Sequence, residues 1–574
     1  MKRARTVILA TEGTYPYHVG GVSTWCDTLV RQMPDTRFIV VAVIMNPYVS
    51  ARFPLPATVE RVIAIPLWGT QDPSEHRTDL PFSEVFLKKQ RTSEAQVRQI
   101  FLPLFQELLG AISTRGRDAA ALGQVFLGMY RYFQMYDYQE TFKAEDVWQT
   151  FKTTVMAEVQ AGLWPEPTIF DLVQALGWVY RFLIILNTPI PQADVTHSSA
   201  AAFCGLIGIV GKLLHGTPYL LTEHGVYLRE QYLSVGRSTM SPFAKAFLLA
   251  FIQSIVRANL HHADELAPVC RFNARWEQKL GVPPERIHVI YNGVNPGVFQ
   301  PRPKPAPPGD DVRVVSIARI DPNKDIETLL RAAAIVHARA PRARFIVQGA
   351  VSVPEYHRKM LALREELQLE EVVDFAGHTD DIARTYQEAD IIVQSSVSEA
   401  FPYSVIEAMM SGKPIVATDV GGTAEALAGT GLLVPARDPA RMAVAILQLI
   451  DDPALRAELG EGARARALDL FTVERTTRSF AERYAALAGE RDAAAATRRR
   501  QVLALTRAYA LAGVGMYDAA LGQLQDALRL DPAGPLAGAL LAQMAEFEER
   551  LGRRANRDQR LIQAWLIDRL QRAG

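Results

Sequence analysis

Cysteine is scarce in this chain: Cys26, Cys204 and Cys270 are the three among 574 residues. They stand far apart and without metal-ligand spacing. That excludes a disulfide-stapled scaffold and a zinc knuckle, and it points to reduced thiols in a reducing compartment. An excess of one charge is missing as well. Sixty-two basic side chains are matched by 62 acidic ones, so the chain lacks the electrostatic footprint of a nucleic-acid binder, although a local basic pocket stays open. Long uninterrupted apolar runs are absent too. Residues 175–190 are broken by Arg181 and residues 242–255 by Lys245, and neither reaches the roughly 20 apolar residues of a membrane span. Near the amino terminus only a short uncharged stretch separates Arg5 from Glu12, which reads as a first β-strand rather than a signal peptide. The expectation is a cytoplasmic protein. No G-x-G-x-x-G occurs at the first strand–helix turn, which argues against a dinucleotide site.

What is present is alternation of strands and helices. At this length two domains with an appendage are expected. Residues 6–10 and 38–44 read as buried strands around a helix over 22–31, with 62–66 as a weaker third strand. This pattern predicts a parallel sheet whose ligands bind at the carboxyl ends of its strands. From about 70 to 190 the pattern turns helical, for instance over 95–109 and 125–138, and reads as an insertion. Strand signals resume at 194–197, 219–222, 265–268 and 287–290. The run PRPKPAPPG at 301–309 cannot join a helix or a central strand, so it marks a boundary between a first domain, 1–300, and a second, 310–489. Strands near 312–317, 344–348, 372–375, 391–394 and 414–418 are expected there, with a helix over 326–338 and a long one over 471–487. Residues 490–574 form a helical tail. Its RAYALAGVGMYDAALGQLQDALRLDP resembles a single tetratricopeptide repeat, which must pack on flanking helices or a partner.

Three features of the second domain carry chemistry. In SIARIDPNKDIETLL, Arg319 and Lys324 flank a strand-to-helix turn. Two fixed cations beside a helix amino terminus suit a diphosphate, while a solvated turn is the competing reading. In SEAFPYSVIEAMM, Glu399 and Glu407 bracket a turn, and an ionised carboxylate accepts hydrogen bonds from vicinal sugar hydroxyls. Singly, Glu399 also reads as an exposed loop acid, and Ser404–Glu407 as a capping box. In ATDVGGTAEAL, Gly421 and Gly422 permit close backbone approach, either to a ligand or within an ordinary tight turn.

In that order, these motifs resemble the retaining family-four glycosyltransferases, which have the GT-B architecture of two Rossmann-like domains facing a cleft. The resemblance implies that Arg319 and Lys324 neutralise a nucleotide diphosphate and that Glu399 holds the transferred sugar. It places backbone contacts at Phe401, Pro402 and Tyr403, the ribose at Glu407, and the nucleobase near Gly377 and His378. EGTYPYHVGGVSTW, LTEHGVYLRE and the insertion between them are similar to the PelF-type enzymes of Pel exopolysaccharide synthesis, a likeness covering about residues 1–490. It implies a phosphate- and acceptor-facing loop at Gly20 and Gly21, a donor-sugar contact at His224, and acceptor contacts at Glu223, Tyr227 and Arg229. Asn295 stands where the family's Asn-Gly-Val-Asp segment has aspartate.

The reaction implied is metal-independent, retaining transfer of a hexose or N-acetylhexosamine from a UDP-sugar, a co-substrate rather than a cofactor, to a growing polysaccharide. The catalytic set would be His224, Arg319, Lys324 and Glu399. The carboxyl-terminal helices would recruit a membrane synthase or transporter subunit, drawing the protein to the inner face of the membrane. A nucleotide-sugar epimerase on the same fold and a non-catalytic binding subunit are the alternatives.

Overall fold

The computed structural model describes residues 4–69, 81–301, 311–513 and 516–573. The proline-rich connection, apart from Pro301, and the start of the expected insertion, 70–80, lie outside the described residues. The chain forms two compact units, Met1–Glu482 and Arg483–Gly574.

The first unit contains two six-stranded sheets. One is built from β1 (Arg5–Glu12), β2 (Thr36–Ile44), β3 (Val59–Pro66), β4 (Val195–Ser198), β5 (Tyr219–Leu221) and β6 (Glu265–Leu266), in the order β3-β2-β1-β4-β5-β6. Every pairing is parallel, and β1 runs in register with β2 from Arg5↔Thr36 to Glu12↔Val43. The other comprises β7 (Val312–Ile317), β8 (Ala343–Gln348), β9 (Val373–Gly377), β10 (Ile391–Gln394), β11 (Ile415–Thr418) and β12 (Leu432–Val434). Its order is β12-β11-β10-β7-β8-β9, again wholly parallel. The central strands are buried on both faces, which is why they read as continuous Val/Ile/Leu runs. In each sheet the winding direction reverses once, between β1 and β4 and between β7 and β10. Such reversals open crevices at the carboxyl ends of the strands.

Residues 287–290 do not form the expected strand. A single bridge, Leu266↔Ile287, stands in its place. His288 N donates to Leu266 O at 2.8 Å and Ile290 N to Pro268 O at 3.0 Å, but Pro268 has no N–H to return, so the ladder stops. Strand β12, short and bounded by Gly431, was not anticipated.

Helices fill the inserted segment from Phe82–Arg91 onward. The expected helix over 125–138 is Ala119–Met135 instead, because Asp137 caps a separate helix, Tyr138–Lys143, by accepting from Glu140 N at 2.8 Å. Phe101, Phe105, Phe126, Tyr132 and Phe133 join the insertion to the core of the first sheet. Two segments, Ile169–Asn187 and Pro242–His262, are long and apolar enough to cross a membrane by length and composition, and both pack into this core, with 50% and 72% of their apolar windows buried.

The helix expected over 471–487 starts at Val473 and runs to Gly513. It continues because alanine and arginine, which dominate 490–500, are strong helix formers. Its first turns pack on the first sheet's side: Val473 N donates to Val294 O at 3.1 Å, and Phe480 meets Trp25 and His197 at 5.4 and 5.2 Å between ring centroids. In the second unit, Tyr517–Leu530, Ala537–Arg550 and Arg554–Ala573 are helical, with Leu521, Leu524, Leu541, Met544 and Phe547 in their core.

Candidate active site

The reversal between β7 and β10 places two loops 75 residues apart in sequence side by side. After β7, Asp321 Oδ1 accepts from Asn323 N at 2.9 Å and seeds the 3₁₀ turn Pro322–Lys324, ahead of the helix Ile326–Arg339. The loop after β10 is stitched to it: Ser395 Oγ donates to Lys324 O at 2.7 Å and Val397 N to Asn323 O at 2.8 Å. Lys324 Nζ then reaches Glu399 Oε1 at 2.5 Å, and Ser396 Oγ donates to the same oxygen at 2.7 Å. The cation and the acid expected to serve separate parts of a ligand thus form one ion pair, their side chains 22% and 12% exposed. Arg319 is different. It is 65% exposed, with only a loose 3.6 Å contact to Asp321, and it lies on the cleft wall.

Glu407 is not part of a capping box. The helix Tyr403–Met410 begins one residue before Ser404, with Pro402 at its N-cap and no side-chain cap. Glu407 turns inward to accept from Tyr386 Oη at 2.8 Å while still lining the cleft. Burial pushes its carboxyl up to about 7, against the lowering effect of the Tyr386 hydrogen bond. The glycine pair also has a specific task. A Cβ on Gly421, whose φ is +59°, would lie 1.7 Å from Glu399 O, and one on Gly422 would lie 2.5 Å from Ala400 O. Gly422 N donates to that Ala400 carbonyl at 2.7 Å. The close approach of these glycines is to the Glu399 turn.

On the first lobe, Gly20 and Gly21 open the helix Gly21–Gln32 and line the cleft. Gly21 leaves room for Tyr403 from the other lobe, whose ring would sit 3.2 Å from a Cβ there. His224 follows β5 and packs edge-on to Trp25 at 4.5 Å. Burial lowers its pKa to about 3, so the imidazole stays neutral, and its buried Nε2 has no hydrogen-bond partner. The ring lines the cleft, with this uncommitted nitrogen beneath the wall surface.

The residues expected to meet an acceptor are placed otherwise. Glu223 is 1% exposed, and burial followed by Glu230's charge raises its carboxyl well above the usual range. Tyr227 is enclosed beside Glu12 and its hydroxyl is pushed up by burial. Neither side chain lines the cleft. Arg229 instead bridges the lobes, donating from Nη1 to Ser398 Oγ at 2.7 Å, next to Glu399. Gly377, at φ +75°, ends β9 and is not on the cleft wall, whereas His378 is. Phe401, Pro402 and Tyr403 all line the cleft. Asn295 is exposed and caps its own turn through Gly297 N at 2.8 Å.

The residues placed on its wall share one cleft of about 1480 Å³ between the two sheets. Its first-lobe wall includes a stripe not anticipated: Glu230, Gln231, Ser234 and Arg237, on one face of the helix Tyr227–Arg237. The readable signal was their helical spacing in LREQYLSVGR. Glu230 folds back so closely that a Cβ on Gly225 would lie 2.0 Å from its Oε1, which gives the glycine after His224 its reason. Asn292, another wall residue, donates from Nδ2 to Phe401 O at 3.3 Å.

Comparison with known proteins gives the family and the fold. The family described as "Glycosyl transferases group 1" matches residues 299–466, and "Domain of unknown function (DUF3492)" matches 5–285. A D-inositol 3-phosphate glycosyltransferase of Thermobispora bispora is 36% identical over 197 residues, 32% of this chain and 46% of that protein, so the chain spans about half the length of that relative. EpsD of Bacillus subtilis (strain 168), which carries a glycosyltransferase name, is 30% identical over 283 residues, 47% of this chain and 70% of EpsD. Among solved structures, a sucrose-phosphate synthase of Thermosynechococcus elongatus superposes with TM-score 0.53 at 19% identity, over 85% of this chain and 100% of that one. Anabaena HepE, solved with UDP and glucose, gives 0.50 at 16%, over 83% and 98%. With EpsD aligned over more than two thirds of its length and the group 1 family matched to the lobe that holds Arg319, Lys324, Glu399 and Glu407, the chain belongs to the group 1 glycosyltransferases and has their GT-B fold.

Proposed function

We propose that the protein transfers a hexose or N-acetylhexosamine, with retention and without a metal, from a UDP-sugar to a growing exopolysaccharide of Pel type. One observation carries this reading: Arg319, the Lys324–Glu399 pair, Glu407 and His224 line a single cleft. Arg319 and Lys324 take the diphosphate, supplying the leaving-group stabilisation a divalent cation would otherwise give. Glu399, oriented by Lys324 and Ser396, keeps its second oxygen for a sugar hydroxyl. Glu407 takes the ribose and His378 lies toward the base. The UDP held by Anabaena HepE supports the choice of nucleotide by analogy of fold.

As the bond from the sugar's anomeric carbon to the diphosphate breaks, negative charge grows on the departing oxygen and both cations bind it more tightly than in the ground state. The acceptor hydroxyl attacks from the same face. Its oxygen bonds the anomeric carbon, and its proton passes to the departing phosphate oxygen. No side chain on the cleft wall is assigned as general base. A second reading, a small phosphorylated acceptor, is favoured by the cleft position of Arg237 and by the names of the inositol-phosphate relatives.

The test is a panel of UDP-sugars with oligosaccharide and sugar-phosphate acceptors, products read by mass spectrometry with anomeric configuration by NMR. A new α- or β-linkage matching the donor's configuration is expected. An isomerised donor without acceptor, or tight UDP binding with no product from any pair, would overturn the reading.

A further inference from the structure

A second cavity, of about 380 Å³, lies at the opposite edge of the first sheet. The helix Pro242–His262 feeds the start of β6, and Arg286 stands just before the Leu266↔Ile287 bridge. The cavity between them therefore sits at the amino ends of the strands, whereas the cleft is at their carboxyl ends. Three elements wall it: the Gly116–Arg117 turn, the last turns of the long helix with Arg257 and His261, and the segment from Gly281 to Arg286.

Three arginines line this cavity, and the bonds that hold two of their guanidinium groups are to neutral carbonyls. Arg257 Nη1 donates to Arg115 O at 2.9 Å. Arg286 Nη2 donates to Leu260 O at 2.8 Å and His261 O at 3.2 Å, covering the carbonyl end of the helix. Such bonds orient the guanidinium groups; at Arg286 the helix's carbonyl end offsets part of the charge, while Arg257 is bonded to a single carbonyl of a turn. Arg117 stands exposed at the rim. Among the described residues no carboxylate lines the cavity. The neighbouring acids are engaged elsewhere: Asp264 accepts from Lys212 Nζ at 2.7 Å and Tyr219 N at 2.8 Å, and Asp118 caps a helix through Ala121 N at 2.9 Å. Asp264 and Glu285 both act on Arg286 through the field of their charge, Asp264 the more strongly, without a direct bond to it.

The Arg117 side is rigid. Arg115 and Gly116 both adopt left-handed backbone, φ +55° and +65°, and a Cβ on Gly116 would lie 2.7 Å from Ser254 Cα. The turn is pressed against the long helix, which sets the backbone position from which Arg117 extends. The volume falls near the lower end of the roughly 300–1,000 Å³ typical of small-molecule sites. Three planar cationic donors around a cavity of that size suit a multiply charged anion such as phosphate better than a singly charged carboxylate.

We propose that this cavity is a second anion site, separate from the cleft, that binds a phosphate-bearing ligand through Arg117, Arg257 and Arg286. A free phosphorylated metabolite and a phospholipid headgroup present the same chemistry, and the experiment distinguishes them. The full chain carrying Arg237→Ala, Arg319→Ala and Lys324→Ala, which removes the arginine and lysine charges of the cleft wall, is titrated with inorganic pyrophosphate by calorimetry and, separately, floated with phosphatidic acid vesicles. One-to-one binding of pyrophosphate, weakened about tenfold or more by adding Arg117→Ala and Arg257→Ala, supports the site and a soluble ligand. Vesicle binding without pyrophosphate binding, lost in the same variant, supports the site and a lipid source. If Arg257→Ala lowers the melting temperature, Arg117→Glu alone, at the exposed rim, makes the same comparison. Binding to neither probe, or binding that the arginine substitutions leave unchanged, overturns the proposal.

Discussion

Lys324 has two electrostatic partners to serve, a carboxylate that it already holds and a diphosphate that it is proposed to receive. Its 2.5 Å contact orients Glu399, so removing the ammonium group would lose leaving-group stabilisation and loosen the sugar-binding acid together. Lys324→Ala is expected to lower turnover by about 100-fold or more while circular dichroism stays native. An unchanged transfer rate would remove Lys324 from the mechanism. Glu407 gives a prediction with a sign. Its carboxyl is raised from 4.5 to about 7 in the folded protein by burial. The folded state therefore holds a proton that the unfolded chain releases, and stability falls as pH rises from 4.5 through 7. Glu407→Gln should melt with the wild type near pH 4.5, melt higher than it at about pH 8, and bind UDP about tenfold more weakly. A variant that melts lower at every pH would mean that Glu407 serves only to anchor Tyr386.

Among the elements, the turn after β11 shows how a glycine pair can act at one remove from a ligand. Gly421→Ala would drive a Cβ onto Glu399 O from a left-handed backbone position, so overpacking should cost about 2–3 kcal/mol and displace the acid as well. Gly20→Ala, where nothing lies within 4 Å of the added carbon and φ is extended, should leave the melting temperature in place. Melting curves of the two variants, with UDP-sugar titrations beside them, check the contrast. The motif was legible in the sequence, but its task was not, because the atoms it avoids belong to a turn about 20 residues earlier in the chain. The helix Tyr227–Arg237 shows the converse limit. Its polar stripe was visible at helical spacing, yet a polar face is ordinarily solvated, and only the packing of the lobes turns Glu230 and Arg237 toward the cleft. Glu223 and Tyr227 were singled out from the same stretch and turned out to lie within the protein. Neighbouring residues at a strand end and a helix start point in different directions.

Across the whole molecule, alternation of strands and helices was readable because double-sided burial writes continuous apolar runs, as in β2 and β10. The meeting of Lys324 with Glu399 depends instead on β10 lying beside β7, a long-range choice that local pattern does not record. The interior also holds a feature no motif signals. Glu277 is fully buried with neither carboxylate oxygen hydrogen-bonded, and burial followed by the charge of Glu223 raises its pKa, as burial raises that of Glu223. Both acids then keep protons when folded that the unfolded chain gives up above the usual carboxylate range. Folding takes up protons in that window, so stability is fully present below it and is lost as pH rises through the raised folded values. Glu277→Gln removes one ionisation and relieves its partner. Its melting temperature should exceed the wild type's at about pH 9 and converge with it at about pH 4.5, as thermal unfolding at the two pH values would show. A wild-type curve that rises toward alkaline pH, or a variant that melts lower there, would mean that the pair is charged in the fold and stabilised by contacts other than those described.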